Sequence, residues 1–161
     1  MPQMAPTIYT IGSSTRTWEE FLAVLVAYGI KALADVRAFP VSGRYPRFTR
    51  EHMTAALPAA GMRYHWLGES LGGYRAGGYE AHMQSDTYQA GLAELEGIAR
   101  ACPTAFMCAE RFPWKCHRRF IGETLQSRGW RVAHILEVNR VWPPTGSEFR
   151  LPESPGFSGI S

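Results

Sequence analysis

Short apolar and β-branched runs alternate along this chain with segments whose apolar positions recur every three or four residues. Residues 7–11 (Thr-Ile-Tyr-Thr-Ile) form the first run, stopped by Gly12-Ser13-Ser14, and predict a strand. Trp18, Phe21, Leu22 and Leu25 then fall at i, i+3, i+4 and i+7, which predicts a helix opened by Ser14 or Thr15 and closed at Gly29. Residues 31–36 are mostly apolar, as expected of a parallel strand covered on both faces. Thr49 is a natural N-cap for a second helix with Met53, Ala56, Leu57 and Ala60 on one face before Gly61, and residues 62–66 follow as a third strand. Beyond the Gly72-Gly73 and Gly77-Gly78 loop, a helical region spans about residues 79–101. Ser85 predicts a break and a fresh start near 86 that carries Tyr88, Leu92, Leu95 and Ile98. A strand at 104–108, a helix at about 116–128, a turn at Gly129 and a strand at 130–135 complete the pattern.

Strands alternating with helices predict an α/β fold: a single three-layer domain with a mainly parallel sheet of about five strands flanked by helices. The 161 residues suffice for one sizeable core, so one domain over residues 1–142 is expected. From Pro143 onward proline, glycine and serine dominate without apolar periodicity, which predicts an extended or mobile tail over 143–161. The net charge of +3 permits an anionic ligand but falls short of a dedicated nucleic-acid binder. Three cysteines, an odd number, and no basic leader with an apolar core at the start imply no disulfide framework. With no run near eighteen apolar residues, no membrane association is expected, and a reducing cytoplasm is the expected compartment. The glycine pairs match neither a P-loop nor a dinucleotide fingerprint, so no cofactor is called for.

In open parallel sheets ligands bind outside the carboxyl ends of the strands. Along this chain the polar and reactive residues gather at those ends: Ser13 after the first strand, Asp35 and Arg37 after the second, Cys108 and Glu110 after the fourth. A Pro-stiffened loop then leads to a helix beginning near Cys116-His117-Arg118. A helix N-terminus carries free N–H groups and partial positive charge, so it favours an anion and lowers the pKa of a thiol placed there. Cys116 is therefore a candidate thiolate nucleophile, with His117 or Arg118 beside it. Both cysteines read equally well as core residues, and Asp35–Arg37 as a pair that braces its own loop. Arg37, Arg44, Arg47 and Arg50 interleave with Phe39, Tyr45 and Phe48, the pattern of phosphate contact with base stacking and also that of a solvated loop. Cys108, Glu110, Cys116 and His117 are all metal-ligand types, and His65, His82 or His134 would supply a fourth donor. Their spacing fits no usual zinc pattern, so no metal is assigned.

Three segments carry a family resemblance: Thr10-Ile11-Gly12-Ser13-Ser14, Asp35-Val36-Arg37-Ala38-Phe39-Pro40, and Met107-Cys108-Ala109-Glu110 followed by Pro113-Trp114-Lys115-Cys116-His117-Arg118. In order and spacing they resemble the domain of unknown function 488 family, sometimes called YeaO-like, over residues 7–135. The resemblance implies a compact α/β domain with its site at these segments and leaves the reaction open. A weaker similarity is to rhodanese-like domains, which also carry an Asp-Val-Arg strand end and a later cysteine. Their anion-cradling loop, closed by an arginine, is not reproduced here, since Trp114 lies six residues beyond Cys108.

Three functions follow. The first is a small enzyme acting on an anionic or nucleotide-like substrate, with Cys108 or Cys116 as nucleophile or redox thiol, Glu110 as acid/base alongside His117, and Ser13, Asp35, Arg37, Arg44 and Arg118 at the substrate. The second is a non-catalytic nucleotide or nucleic-acid binding domain, and the third a metal-binding domain. The expected partner is an anionic small molecule or nucleotide, with nucleic acid as a further class.

Overall fold

The computed structural model describes residues 5–41 and 43–142. Its strands are β1 (Thr7–Gly12), β2 (Ala32–Asp35), β3 (Arg63–Trp66), β4 (Thr104–Cys108), β5 (Arg131–Glu137) and β6 (Arg140–Trp142). The helices are α1 (Trp18–Ala27), α2 (Arg50–Ala59), α3 (Gly68–Leu71), α4 (Tyr79–His82), α5 (Asp86–Ala101) and α6 (Arg118–Ser127), with single 3-10 turns at Pro46–Phe48 and Pro113–Lys115. All six strands form one sheet in the order β3-β2-β4-β1-β5-β6, parallel except for β6, which runs antiparallel to β5. This is the expected α/β architecture with one added edge strand. The expected tail over 143–161 lies outside the described residues.

Apolar periodicity explains both faces of the sheet. Phe21, Val24 and Leu25 of α1 and Met53 and Leu57 of α2 pack with Ile11, Leu33, Ala105 and Met107 on one side. Tyr88, Leu92 and Leu95 of α5 and Ile121 and Leu125 of α6 pack with Ile8, Ala34, Phe106 and Val132 on the other. Alternate residues of each strand therefore serve opposite cores, as the pleat requires. The central strands β2 and β4 are buried along their whole length.

Local signals set most element ends. Thr49 and Ser85 cap α2 and α5, their hydroxyls accepting from His52 N and Tyr88 N. For α1 the cap is Thr17, not Ser14 or Thr15. The Thr17 hydroxyl accepts from Glu20 N while the Glu20 carboxylate accepts from Thr17 N, each at 3.0 Å, the reciprocal box that Thr-x-x-Glu encodes. The N–H groups of Ser13 and Ser14 are engaged elsewhere, with Cys108 O (2.9 Å) and Ala109 O (2.8 Å).

Strand order places the chemistry. Neighbouring strands β1 and β4 send their connections to opposite faces, β1 into α1 and β4 into α6, and this divergence opens a crevice at their carboxyl ends. Gly12 and Cys108 face each other there as paired residues.

Candidate functional site

The loop after β4 lies directly over the end of β1. A Cβ on Gly12 would overlap the Glu110 carbonyl, so only glycine permits this approach. The loop then tightens into the Pro113–Lys115 turn and delivers Cys116 and His117 to the start of α6, where His117 is the N-cap residue. The Cys116 sulfur accepts a hydrogen bond from the backbone N–H of Arg118 at 3.3 Å, in the role of a capping group. A thiol at this N-terminus with Arg118 beside it was expected from the sequence; its contact with a second sulfur was not.

Cys108 and Cys116 Sγ atoms stand 2.6 Å apart, both as free cysteines. Cys108 is buried, and Cys116 is partly exposed. Beneath them runs the Arg118 side chain, with no solvent exposure. Its Nε donates to Cys108 Sγ at 3.0 Å, Nη1 to Thr10 Oγ1 at 2.7 Å, and Nη2 to the carbonyls of Glu110 (2.6 Å) and Arg111 (3.3 Å). Among the described residues no carboxylate pairs with Arg118, so the anionic neighbour of this buried cation is sulfur. Burial opposes ionisation of the Cys116 thiol, but the hydrogen bond from Cys108, the Arg118 charge and the Arg118 N–H outweigh it and bring the group down to about 6. Burial and the shared proton push Cys108 the other way, well above the usual thiol range. The two thiols thus shift in opposite directions, Cys116 down and Cys108 up, as expected of a pair that shares one proton.

The sulfurs open into a cleft of about 820 Å³ lined by Arg37, Phe39, Tyr74, Glu110, Trp114, Lys115, Cys116, His117 and Arg119 among others. His117 sits on its wall, depressed below the ordinary histidine range mainly by burial. Its Nε2 lies 2.7 Å from the Val36 carbonyl, which can only accept, so Nε2 carries the proton and Nδ1 the lone pair. Gly73 keeps the space beside Nδ1 open, since a Cβ there would come within 3.5 Å. Also lining the cleft, Arg37 binds Asp35 through two parallel bonds, Nε to Oδ1 at 2.8 Å and Nη2 to Oδ2 at 2.7 Å, while Tyr64 donates to Oδ2 at 2.5 Å. Burial and the Asp35 charge hold the Tyr64 hydroxyl far above its usual range, so it is a permanent donor. Asp35 is fully buried and organises Arg37, and it does not itself line the cleft.

The residues singled out from the sequence divide accordingly. Cys108, Glu110, Cys116, His117 and Arg37 meet around the cleft, with Arg118 and Asp35 supporting them from beneath. Ser13 is buried and bonds through its backbone to Cys108 O. Arg44 is exposed, 5.4 Å from the Tyr45 ring centre and away from the cleft lining. Arg47 and Arg50 likewise cover Tyr45, Phe48 and Trp66. Among the described residues no three His, Cys, Asp or Glu side chains gather as a metal-ligand group. The sequence offered His134 only as a possible metal donor and Thr10 only as part of a family segment, and did not place either beside Arg118. Thr10 Oγ1 lies 2.6 Å from His134 Nδ1, and burial beside Arg118 drives this histidine well below its ordinary range, keeping it neutral. Their only signal was a polar residue inside each of two apolar strands.

No curated protein and no solved structure matches the chain. Comparison with protein families matches residues 17–125, covering α1 through most of α6, to the family described as Domain of unknown function DUF488. The match spans more than half of the sequence and includes both sulfurs, Arg118 and the Asp35–Arg37 pair, and the chain accordingly belongs to the DUF488 family.

Proposed function

We propose that this protein is a thiol enzyme in which the Cys116 thiolate attacks an electrophilic atom of a small anionic molecule held in the cleft. One observation carries the proposal: a fully buried guanidinium whose anionic neighbour is a cysteine pair. An uncompensated cation in such a place is costly, and ionising one thiol at neutral pH removes that cost. Arg118 holds the charge, Cys108 donates its S–H to the thiolate, and the His117 Nδ1 lone pair takes or returns a proton at the substrate. The lining presents the cations Arg37, Lys115 and Arg119, Arg37 held in place by Asp35 and Arg119 by Glu123, as groups an anion would meet. Glu110, exposed on the cleft lining, is the acid/base residue of this reading.

A second reading, non-catalytic nucleotide binding, draws on one feature. Phe39 and Tyr74, exposed by 70% and 90%, lie with ring centres 6.0 Å apart at the cleft edge, an arrangement suited to a planar base. Alkylation by iodoacetamide across pH, resolved by peptide mass spectrometry, separates the two. A thiol enzyme gives a Cys116 midpoint near 6. An ordinary cysteine midpoint, about 8.5, overturns the thiol reading and leaves the binder.

A further inference from the structure

A nucleophilic thiolate needs no second sulfur, yet the Cys108 and Cys116 sulfurs stand 2.6 Å apart. A disulfide bond is about 2.05 Å long, so closing the pair requires a movement of about 0.5 Å. We infer that Cys108 is a resolving thiol and that the site performs thiol–disulfide exchange on a small anionic disulfide, cycling between a dithiol and a Cys108–Cys116 disulfide. This rests on Cys116 being the nucleophile and names its substrate class.

Access separates the two roles. Cys116 is partly exposed at the cleft, so an incoming disulfide meets it first, whereas Cys108 also borders the cleft but is only 3% exposed. In the first step the Cys116 thiolate attacks one sulfur of the substrate, forming a mixed disulfide and expelling the other half as a thiolate. That step removes the negative charge from Cys116 and leaves Arg118 without its counter-ion. The guanidinium Nε, 3.0 Å from Cys108 Sγ, then favours ionisation of Cys108, whose proton passes to the departing thiolate. In the second step the Cys108 thiolate attacks Cys116 Sγ, forming the protein disulfide and releasing the remaining half as a thiolate. Two electrons have moved from the cysteine pair to the substrate, and a small dithiol reductant restores the starting state. Arg118 therefore serves each sulfur in turn. Cys102 does not compete, because it lies at the opposite end of β4, about 20 Å away by strand rise.

The test exposes reduced full-length protein, freed of reductant under anaerobic conditions, to oxidised glutathione, followed by intact mass and peptide mapping. The wild type is expected to lose two hydrogens and retain no glutathione, with the bond mapped to Cys108–Cys116. Its formation should be about tenfold slower at pH 5 than at pH 7, following the thiolate fraction of a group near 6. Cys108→Ser should instead retain one glutathione on Cys116, and Cys116→Ser should neither close a disulfide nor be modified at Cys108. A wild type that retains glutathione on Cys116 overturns the resolving role and leaves the nucleophile intact. Cys108 modified as readily in Cys116→Ser as Cys116 is in the wild type overturns the assigned order of attack. Both cysteines remaining reduced in every protein removes the nucleophile reading together with this inference.

Discussion

Replacing Arg118 by methionine tests the electrostatic core of the site most directly. Methionine fills much of the same volume but carries no charge, and Cys108 Sγ, Thr10 Oγ1 and the Glu110 and Arg111 carbonyls each lose a donor. At about 1 kcal/mol per net hydrogen bond this costs roughly 4 kcal/mol, within the reserve of an ordinary domain. An opposite charge at close range lowers an acid by about 1–3 pKa units, so Cys116 should climb from about 6 to about 8 in the variant. At pH 7 the thiolate fraction would then fall from about 90% to about 10%. Intrinsic nucleophilicity rises with basicity, and a Brønsted slope of about 0.45 makes each remaining thiolate about eightfold more reactive. These effects nearly cancel, so the alkylation rate at pH 7 should change less than twofold. The informative readouts are the midpoint, up by about two units, and the high-pH plateau, up by about eightfold. Stopped-flow alkylation from pH 4.5 to 10, with far-UV circular dichroism to verify folding, provides both. A folded variant whose midpoint stays near 6 would refute the assignment of Arg118 as the source of the charge.

Three further outcomes follow from the same geometry. Cys116 in the fold lies below its unfolded value, so its contribution to stability is complete above about pH 8.5 and is lost as pH falls through about 6; buried neutral His134 adds to the loss below about 6.5, where the unfolded histidine takes a proton. The urea midpoint should therefore fall between pH 8 and pH 5, a window below the range where the raised Cys108 thiol takes stability away, and a flat profile would contradict both assignments. Gly12→Ala drives a methyl into the Glu110 carbonyl, which should cost about 2 kcal/mol or more in chemical denaturation and also raise the Cys116 midpoint, because the displaced loop carries two Arg118 acceptors. Wild-type stability in that variant would mean that the loop does not cross β1 as described. Asp35→Asn leaves the Arg37 guanidinium without its carboxylate and should cost about 3 kcal/mol by the same assay; a loss below about 0.5 kcal/mol would show that the pair does not support the cleft wall.

Much of the architecture was legible in local pattern. Apolar spacing marked α1, α2 and α5, hydroxyl caps at Thr49 and Ser85 marked two starts, and continuous apolar runs marked the buried strands. These signals survive because helix period, strand alternation and capping depend on residues within a few positions of one another. The three-residue edge strand β6 was missed, since a strand that short has no periodicity to display and takes its place only by pairing with β5. The Thr17–Glu20 box was present in the sequence but was passed over for Ser14 or Thr15, and the Ser14 N–H is bound to the loop after β4.

The chemistry divides along the same line. Local sequence was enough to say which residues end the strands, that Cys116 would stand at a helix N-terminus, and that Asp35 and Arg37 would share a strand end. It took the packed sheet to put β4 beside β1, and with it to bring Thr10 and His134, from distant parts of the chain, together under Arg118 and two sulfurs eight residues apart into contact. Local geometry is set by backbone sterics and short-range hydrogen bonds. Strand order and the burial of one arginine among several identical ones are set by long-range packing and the need to compensate a buried charge.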